Sequence, residues 1–266
     1  MFDSIAGDYD ALNHILSLDV DKIWRKKALK QIVDAPAPVQ VLDLACGTGD
    51  FSIAIAKALS RSHKRVGTPI EAHVKAPAKV PVEAQVTSTG FVTGDSGRSD
   101  LMTKGHVTGV DLSEGMLAVM REKVAKAGLT EMISIEEGDG ENLRFPDNTF
   151  DRVTIAFGIR NFEDRPKGLR EMLRVLKPGG RLVILELSRP ENKIIRWFYD
   201  LYFLHILPKV GGKVSGDKAA YAYLPASVAA FPGKKAFMAT MREAGFRAVT
   251  HKAFTLGICR MYTGEK

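Results

Sequence analysis

Cysteine is nearly missing from this 266-residue chain: Cys46 and Cys259 stand alone, with no CxxC pair and no adjoining His/Cys cluster. That excludes a disulfide framework and a zinc site of the usual spacing, and both thiols are expected to be buried and reduced. Also absent is any apolar run near the roughly 20 residues that a membrane-spanning helix needs. The N-terminus, MFDSIAGDYD, lacks the basic start and apolar stretch of a signal peptide. These absences point to the cytoplasm.

Acidic charge is in short supply as well, with 38 Lys and Arg against 31 Asp and Glu, a formal net charge of +7. Such a field attracts nucleic acid or an anionic membrane surface. The distribution argues against nucleic acid. Between Arg61 and His106 seven Lys or Arg face four Asp or Glu, so a sizeable share of the excess sits in one atypical segment without an RNA-binding signature. A tighter cluster is WRKKALK, where Lys22, Arg25, Lys26, Lys27 and Lys30 flank Ile23, Trp24, Ala28 and Ile32. This pattern suits an amphipathic helix whose basic side is either a solvated face or a membrane-surface contact.

With 45% hydrophobic residues, the chain can bury a sizeable core, and its length fits one domain over 1–266. Residues 5–33 read as one or two helices, ended by Ala35-Pro36-Ala37-Pro38. VQVLDLACGTGD is then a strand that breaks into glycines, and FSIAIAKAL is a helix packed on a sheet. Apolar runs in HVTGVDL, ISIEEGD, FDRVTIAFG and GRLVILELS, and a C-terminal pair at AVTHKAF and GICRMYT, alternate with helical stretches near 114–127, 165–175 and 234–244. This alternation predicts an α/β fold with a mostly parallel sheet and helices on both faces. IIRWFYDLYFLHIL, from Lys193 on, reads as core or as the wall of a greasy pocket. Residues 61–105, rich in Pro, Gly, Ser, Thr and Lys, read as a surface insertion, either mobile or carrying a small β-hairpin.

A glycine-rich turn after a strand lets backbone approach a ligand, and the following helix offers unpaired amides. Here the turn is Asp43-Leu44-Ala45-Cys46-Gly47-Thr48-Gly49-Asp50, without the third glycine of the dinucleotide fingerprint. Asp111 closes the next strand, where a carboxylate can accept both ribose hydroxyls of an adenosine. The alternative, Asp111 as a helix cap, is weaker because Ser113 is better placed. Asp139-Gly140 follows the third strand and either meets an adenine edge or merely turns the chain.

The run DLACGTGD, with Gly47, Thr48 and Gly49, resembles the first motif of class I S-adenosylmethionine-dependent methyltransferases. YDALNHILSLDVDKIW and RVLKPGGRLVILELS resemble the two signature segments of the ubiquinone/menaquinone biosynthesis C-methyltransferases, and IAFGIRNFED adds a third match. The resemblance covers nearly the whole chain except the insertion. DKAAYAYLPASVAAFP places Asp217, Tyr221, Tyr223 and Ser227 in the family's order. Asp21 stands where the family usually has His, and Ala156 replaces a frequent serine.

The resemblance implies a Rossmann-like sheet with a C-terminal antiparallel strand. It also implies S-adenosyl-L-methionine bound by Gly47, Thr48, Gly49, Asp111, Asp139 and Gly140, with no metal. The acceptor would be a polyprenylated quinol, demethylmenaquinol first and the methoxy-benzoquinol of ubiquinone synthesis second. Arg160 is then the catalytic candidate, lowering the quinol's pKa because arginine is a poor base. Asn161, Tyr9 and Asn13 would meet substrate, the latter two with Asp10 in an N-terminal helical lid over 1–36, or else pack a helix. His205 is a further candidate base or a structural histidine. A quinol substrate implies possible peripheral contact with the inner face of the membrane, and a homo-oligomer is compatible. The competing readings are methylation of another aromatic acceptor, a cofactor-holding protein without catalysis, and a basic nucleic-acid binder whose affinity falls steeply with salt.

Overall fold

The computed structural model describes residues 20–34, 39–66, 105–202 and 218–266. The chain begins there with helix α1 (Val20–Val33), whose buried residues Asp21, Trp24, Ala28 and Ile32 recur every three or four positions. That periodicity gives one inward stripe, and the basic residues between are left outside. Trp24, Ala28 and Ile32 join a core cluster with Val41, Val183 and Leu185 of the sheet. Burying the Ile32 side chain completely contributes roughly 1.5–3 kcal/mol. Of the stretch 1–36 expected as a helical lid, the described part, α1, packs one face into the core. Tyr9, Asp10 and Asn13 lie outside the described residues.

Seven strands follow, β1 (Gln40–Leu44), β2 (His106–Asp111), β3 (Ile133–Glu137), β4 (Phe150–Ala156), β5 (Leu176–Leu187), β6 (Arg247–Phe254) and β7 (Cys259–Glu265), in the order β3-β2-β1-β4-β5-β7-β6. β1 to β5 are parallel, and β7 runs antiparallel between β5 and β6. This is the mostly parallel sheet, with its C-terminal reversal, that the sequence predicts.

Both faces of the central strands are buried, which explains their nearly continuous apolar runs. In β5, Leu182 and Ile184 enter one core cluster, while Val183 and Leu185 enter the other. Helices α2 (Asp50–Val66), α3 (Glu114–Lys126), α4 (Arg165–Val175), α5 (Lys193–Leu201), α6 (Lys218–Ala230) and α7 (Lys234–Glu243) are the other α-helices among the described residues.

Two expectations change. α2 continues past Arg61 to Val66, because neither glycine nor proline interrupts it before Gly67 and Pro69, so the expected insertion starts later. Residues 67–104 lie outside the described residues. The chain leaves α2 and re-enters at Gly105, where the His106 amide donates to the Val39 carbonyl at 3.0 Å. That point lies at the N-terminal edge of the sheet.

The second change concerns the aromatic segment read as core or as a pocket wall, of which 203–207 lie outside the described residues. In α5 only Tyr199 is buried, while Ile194, Trp197, Phe198 and Leu201 are exposed. A helix with an apolar stripe has only one face to bury, and this one turns that stripe outward.

Candidate active site

The loops leaving the C-terminal ends of β1, β2, β3 and β4 converge on a cavity of about 460 Å3. β1 lies between β2 and β4, so the chain order reverses across it, and such a reversal opens a crevice between diverging loops.

After β1 the backbone enters the left-handed region at Gly47 (φ +55°) and Gly49 (φ +83°). At Gly49 a Cβ would also run into Met120. Gly47 lines the cavity; Gly49 is on neither cavity wall, and its place is to shape the turn. The Gly47 amide donates to Asp111 Oδ2 at 2.9 Å, and the Ser113 amide donates to Asp111 Oδ1 at 2.9 Å. Ser113 caps α3 by accepting from the Met116 amide, as expected, so the Asp111 carboxylate braces the glycine turn and stands on the cavity wall. Asp139 and Gly140 also line the cavity. Asp139 Oδ1 accepts from the Glu141 amide at 2.8 Å, so the residue shapes the turn as well as lining the cavity. Gly140 lets the Phe162 ring close over it, since a Cβ there would sit 2.6 Å from Phe162 Cζ.

An inner recess of about 30 Å3 continues beneath the glycine turn, lined by Arg25, Asp43, Cys46, Thr48, Asp50 and Phe157. Thr48 accepts from Lys123 Nζ at 3.3 Å. Burial pulls the Asp50 carboxyl up, but the hydrogen bond and charge of Lys123, with help from Arg25, hold it below the usual range. Arg25 reaches Asp50 at 3.2 Å and Asp21 at 3.5 Å, with its guanidinium 5.6 Å from the Phe157 ring centroid.

Asp43 is buried, accepts from Ser52 Oγ at 2.5 Å, and has no hydrogen-bond partner on Oδ1 among the described residues. Burial pushes its carboxyl up to about 7, against the lowering effect of Ser52 and Arg25. Cys259 is buried as expected, whereas Cys46 is only half-buried. Burial nonetheless pushes the Cys46 thiol well above its usual range, where it packs 3.5 Å from Met120 Sδ. Among the described residues no cluster of His, Cys, Asp or Glu could hold a metal ion.

Arg160 sits in a buried ion pair beside the cavity. Its guanidinium pairs with Glu186 at 3.0 Å, its backbone amide donates to the same carboxylate at 3.0 Å, and Nε donates to Ser227 Oγ at 3.3 Å. A further bond goes to the Phe157 carbonyl. Arg160 is on neither cavity wall. The cause is Glu186 at the tip of β5: a fully buried carboxylate requires a counter-charge and donors, and it takes them from Arg160 and the Leu187 amide. Asn161 does line the cavity, and its Oδ1 accepts from the Tyr223 hydroxyl of α6 at 2.9 Å.

Sequence reasoning missed Glu186, Arg25 and the strained wall residues Ala45 (φ +48°) and Phe157 (φ +64°). Glu186 was announced by an acidic residue inside the apolar run LVILELS, and Arg25 by the basic cluster around Trp24. Nothing in the sequence marks the strain, which costs roughly 1–2 kcal/mol at each position. His205 and Asp217 lie outside the described residues.

The site fits the methionine-adenosine donor: a glycine cradle, a carboxylate at the tip of β2, and an orphaned buried carboxyl oxygen beside an arginine and a threonine in the recess. Fold and site together define a class I methyltransferase. A solved methyltransferase from Aquifex aeolicus, described as SAM-dependent, shares the fold with a TM-score of 0.53 at 19% identity, covering 90% of this chain and 88% of that one. The chain belongs to the ubiE/COQ5 methyltransferase family, whose sequence model matches residues 1–266. The ubiquinone/menaquinone biosynthesis C-methyltransferase UbiE of Geobacter sulfurreducens is 42% identical over 100% of this chain and 87% of that protein. The demethylmenaquinone methyltransferase of Bacteroides fragilis is 40% identical over 100% and 91%.

Proposed function

We propose that this protein transfers a methyl group from S-adenosylmethionine to a ring carbon of demethylmenaquinol. The methoxy-benzoquinol of ubiquinone synthesis is the second acceptor, since relatives at similar identity carry both descriptions. The observation that carries this reading is Asn161, held by Tyr223 on the wall of the same cavity that gathers Asp111 and Asp139.

Asp111 and Asp139-Gly140 would hold the adenosine part, the first through its ability to accept two hydroxyls. Gly47, Thr48 and Arg25 would hold the amino-acid end in the inner recess, Arg25 facing the carboxylate. The bound donor supplies an electrophilic methyl group on a sulfonium. Asn161 is the substrate's contact. Because the Tyr223 hydroxyl occupies its Oδ1, the amide end remains to donate to a phenolic oxygen and favour its anion, which pushes electron density onto the neighbouring ring carbon. Arg160, neutralised by Glu186, positions Asn161. The apolar wall of Ala156, Phe157 and Phe162 keeps water from the reacting pair and favours combination of an anion with a cation. A polyprenylated acceptor lives in the bilayer, so the protein works at a membrane surface; no described helix is long and apolar enough to cross one.

The test is methyl transfer from labelled donor to chemically reduced demethylmenaquinol and to the methoxy-benzoquinol, with Asp111→Ala as control. Label in menaquinol supports the proposal, and label in both products makes the enzyme dual-route. Label in neither, with donor binding intact, refutes it.

A further inference from the structure

The large hydrophobic residues left exposed are not scattered. Ile23, Leu112, Ile194, Trp197, Phe198, Leu201 and Leu256 are the ones exposed among the described residues. All belong to segments at the C-terminal end of the parallel sheet, the end that carries the cavity. Leu112 lines the cavity itself. The others form a rim. α5 leaves the tip of β5 and exposes Ile194 (70%), Trp197 (61%), Phe198 (59%) and Leu201 (39%), the one-face spacing of an amphipathic helix. The Ser188 hydroxyl, on the approach to α5, donates to the Gly257 carbonyl at 2.7 Å and so holds the Thr255–Gly257 turn, where Leu256 is 72% exposed. Trp24 Nε1 donates to Thr255 Oγ1 at 2.9 Å and ties in the first turn of α1, with its exposed Ile23. Three separate segments are thus bonded edge to edge, each showing an apolar side chain to solvent.

Positive charge predominates around α5, the Thr255–Gly257 turn and α1, whereas the exposed acids Asp139 and Glu163 stand on the cavity wall. Lys22, Lys26, Lys27, Lys193 and Lys252 are exposed on the rim. The acids nearby are matched: Asp21 is buried, Asp200 pairs with Arg189 at 2.5 Å, and Glu191 pairs with Lys234 at 2.7 Å and Arg260 at 3.3 Å.

We propose that this rim docks on an anionic lipid bilayer, with α5 lying in the headgroup region and Trp197 and Phe198 reaching the acyl boundary. Lysines around exposed aromatic and aliphatic residues are the composition that binds such a surface through buried apolar area and attraction to anionic headgroups. The docking puts the cavity mouth at the bilayer, where the ring of a membrane-held quinol is presented. The partner is named on the strength of the reaction proposed above.

Intrinsic fluorescence tests it on the full chain, because the protein has two tryptophans and Trp24 is buried at 4% exposure, so a lipid-induced change reports Trp197. Addition of phosphatidylglycerol/phosphatidylcholine vesicles, without quinol or donor, is expected to shift emission to the blue and salt to reverse it. The double variant Trp197→Ser/Phe198→Ser is expected to bind these vesicles about tenfold more weakly or worse. It should retain methyl transfer to a short-chain quinol in solution while losing it to a long-chain quinol in vesicles. Unchanged emission with vesicles, or equal vesicle affinity in the variant, overturns the proposal. So does a blue shift that grows with protein concentration alone, which would show a second copy covering the face. Failure of the quinol reaction in solution would count against the proposed function, while the lipid result would stand by itself.

Discussion

Replacing Asp43 by asparagine should change how stability depends on pH, and the size of the change follows from its surroundings. Burial raises this carboxyl from 3.8 to about 7, with Asp111 adding to the rise and Ser52 and Arg25 opposing it. The folded state therefore binds a proton that the unfolded chain has released, so stability is highest below about pH 4 and falls as pH climbs to about 7. Above that the full cost, about 4 kcal/mol, is present. Asparagine can keep the Ser52 hydrogen bond and never ionises. Between about pH 5 and pH 8, the stability of Asp43→Asn relative to the original should therefore rise by about 3 kcal/mol, at 1.36 kcal/mol per pH unit up to 7. Urea unfolding of both proteins at the two pH values measures it, and the other titrating groups cancel in the comparison. A difference that stays constant with pH would mean that the folded state holds no extra proton at Asp43 over this range, and the reasoning would be refuted.

Glu186→Gln leaves the Arg160 guanidinium buried without its counter-charge, and unfolding free energy in urea should drop by about 3–5 kcal/mol. Asp111→Ala removes the acceptor of the Gly47 and Ser113 amides as well as the ribose contact, so calorimetry should find donor affinity down by about 100-fold or more, from two charge-assisted hydrogen bonds. Gly49→Ala forces a side chain into a left-handed backbone against Met120 and should cost about 2–4 kcal/mol in thermal or urea unfolding. Tyr223→Phe frees the Asn161 amide to rotate. Steady-state kinetics should show kcat down about two- to tenfold with the donor KM little changed, matching the loss of one hydrogen bond.

Much of this site was legible because strand tips announce themselves. Apolar runs that break into Gly47, Asp111 and Asp139-Gly140 located three loops, and an alternating fold brings such loops together. The pairing of Arg160 with Glu186 was not legible. The two residues stand 26 positions apart, and they meet because β4 and β5 align Ile155 with Ile184 and Ala156 with Leu185. Register of that kind depends on the whole sheet. Each residue gave only a local signal: an arginine after a strand suggested chemistry, and a glutamate in an apolar run suggested a buried charge without naming its partner. α5 failed differently. Its apolar spacing was visible, but periodicity says that a helix has a greasy face without saying which way that face points. In α1 the stripe of Trp24, Ala28 and Ile32 turned inward, while in α5 the stripe of Ile194, Trp197, Phe198 and Leu201 turned out.

The attachment of residues 67–104 has a consequence for how this gene can change. α2 begins at Asp50 beside the recess and carries the chain to the opposite edge of the sheet before the segment departs, and it returns beside Val39 at that same edge. Closing a connection there costs only about 0.6 kcal/mol for each doubling of its length. Insertions and deletions at this floor are thus paid in a currency that the reacting end never handles. A reporter domain or an affinity handle spliced between Val66 and Gly105 would ride on the far side of the molecule from both the cavity and the rim.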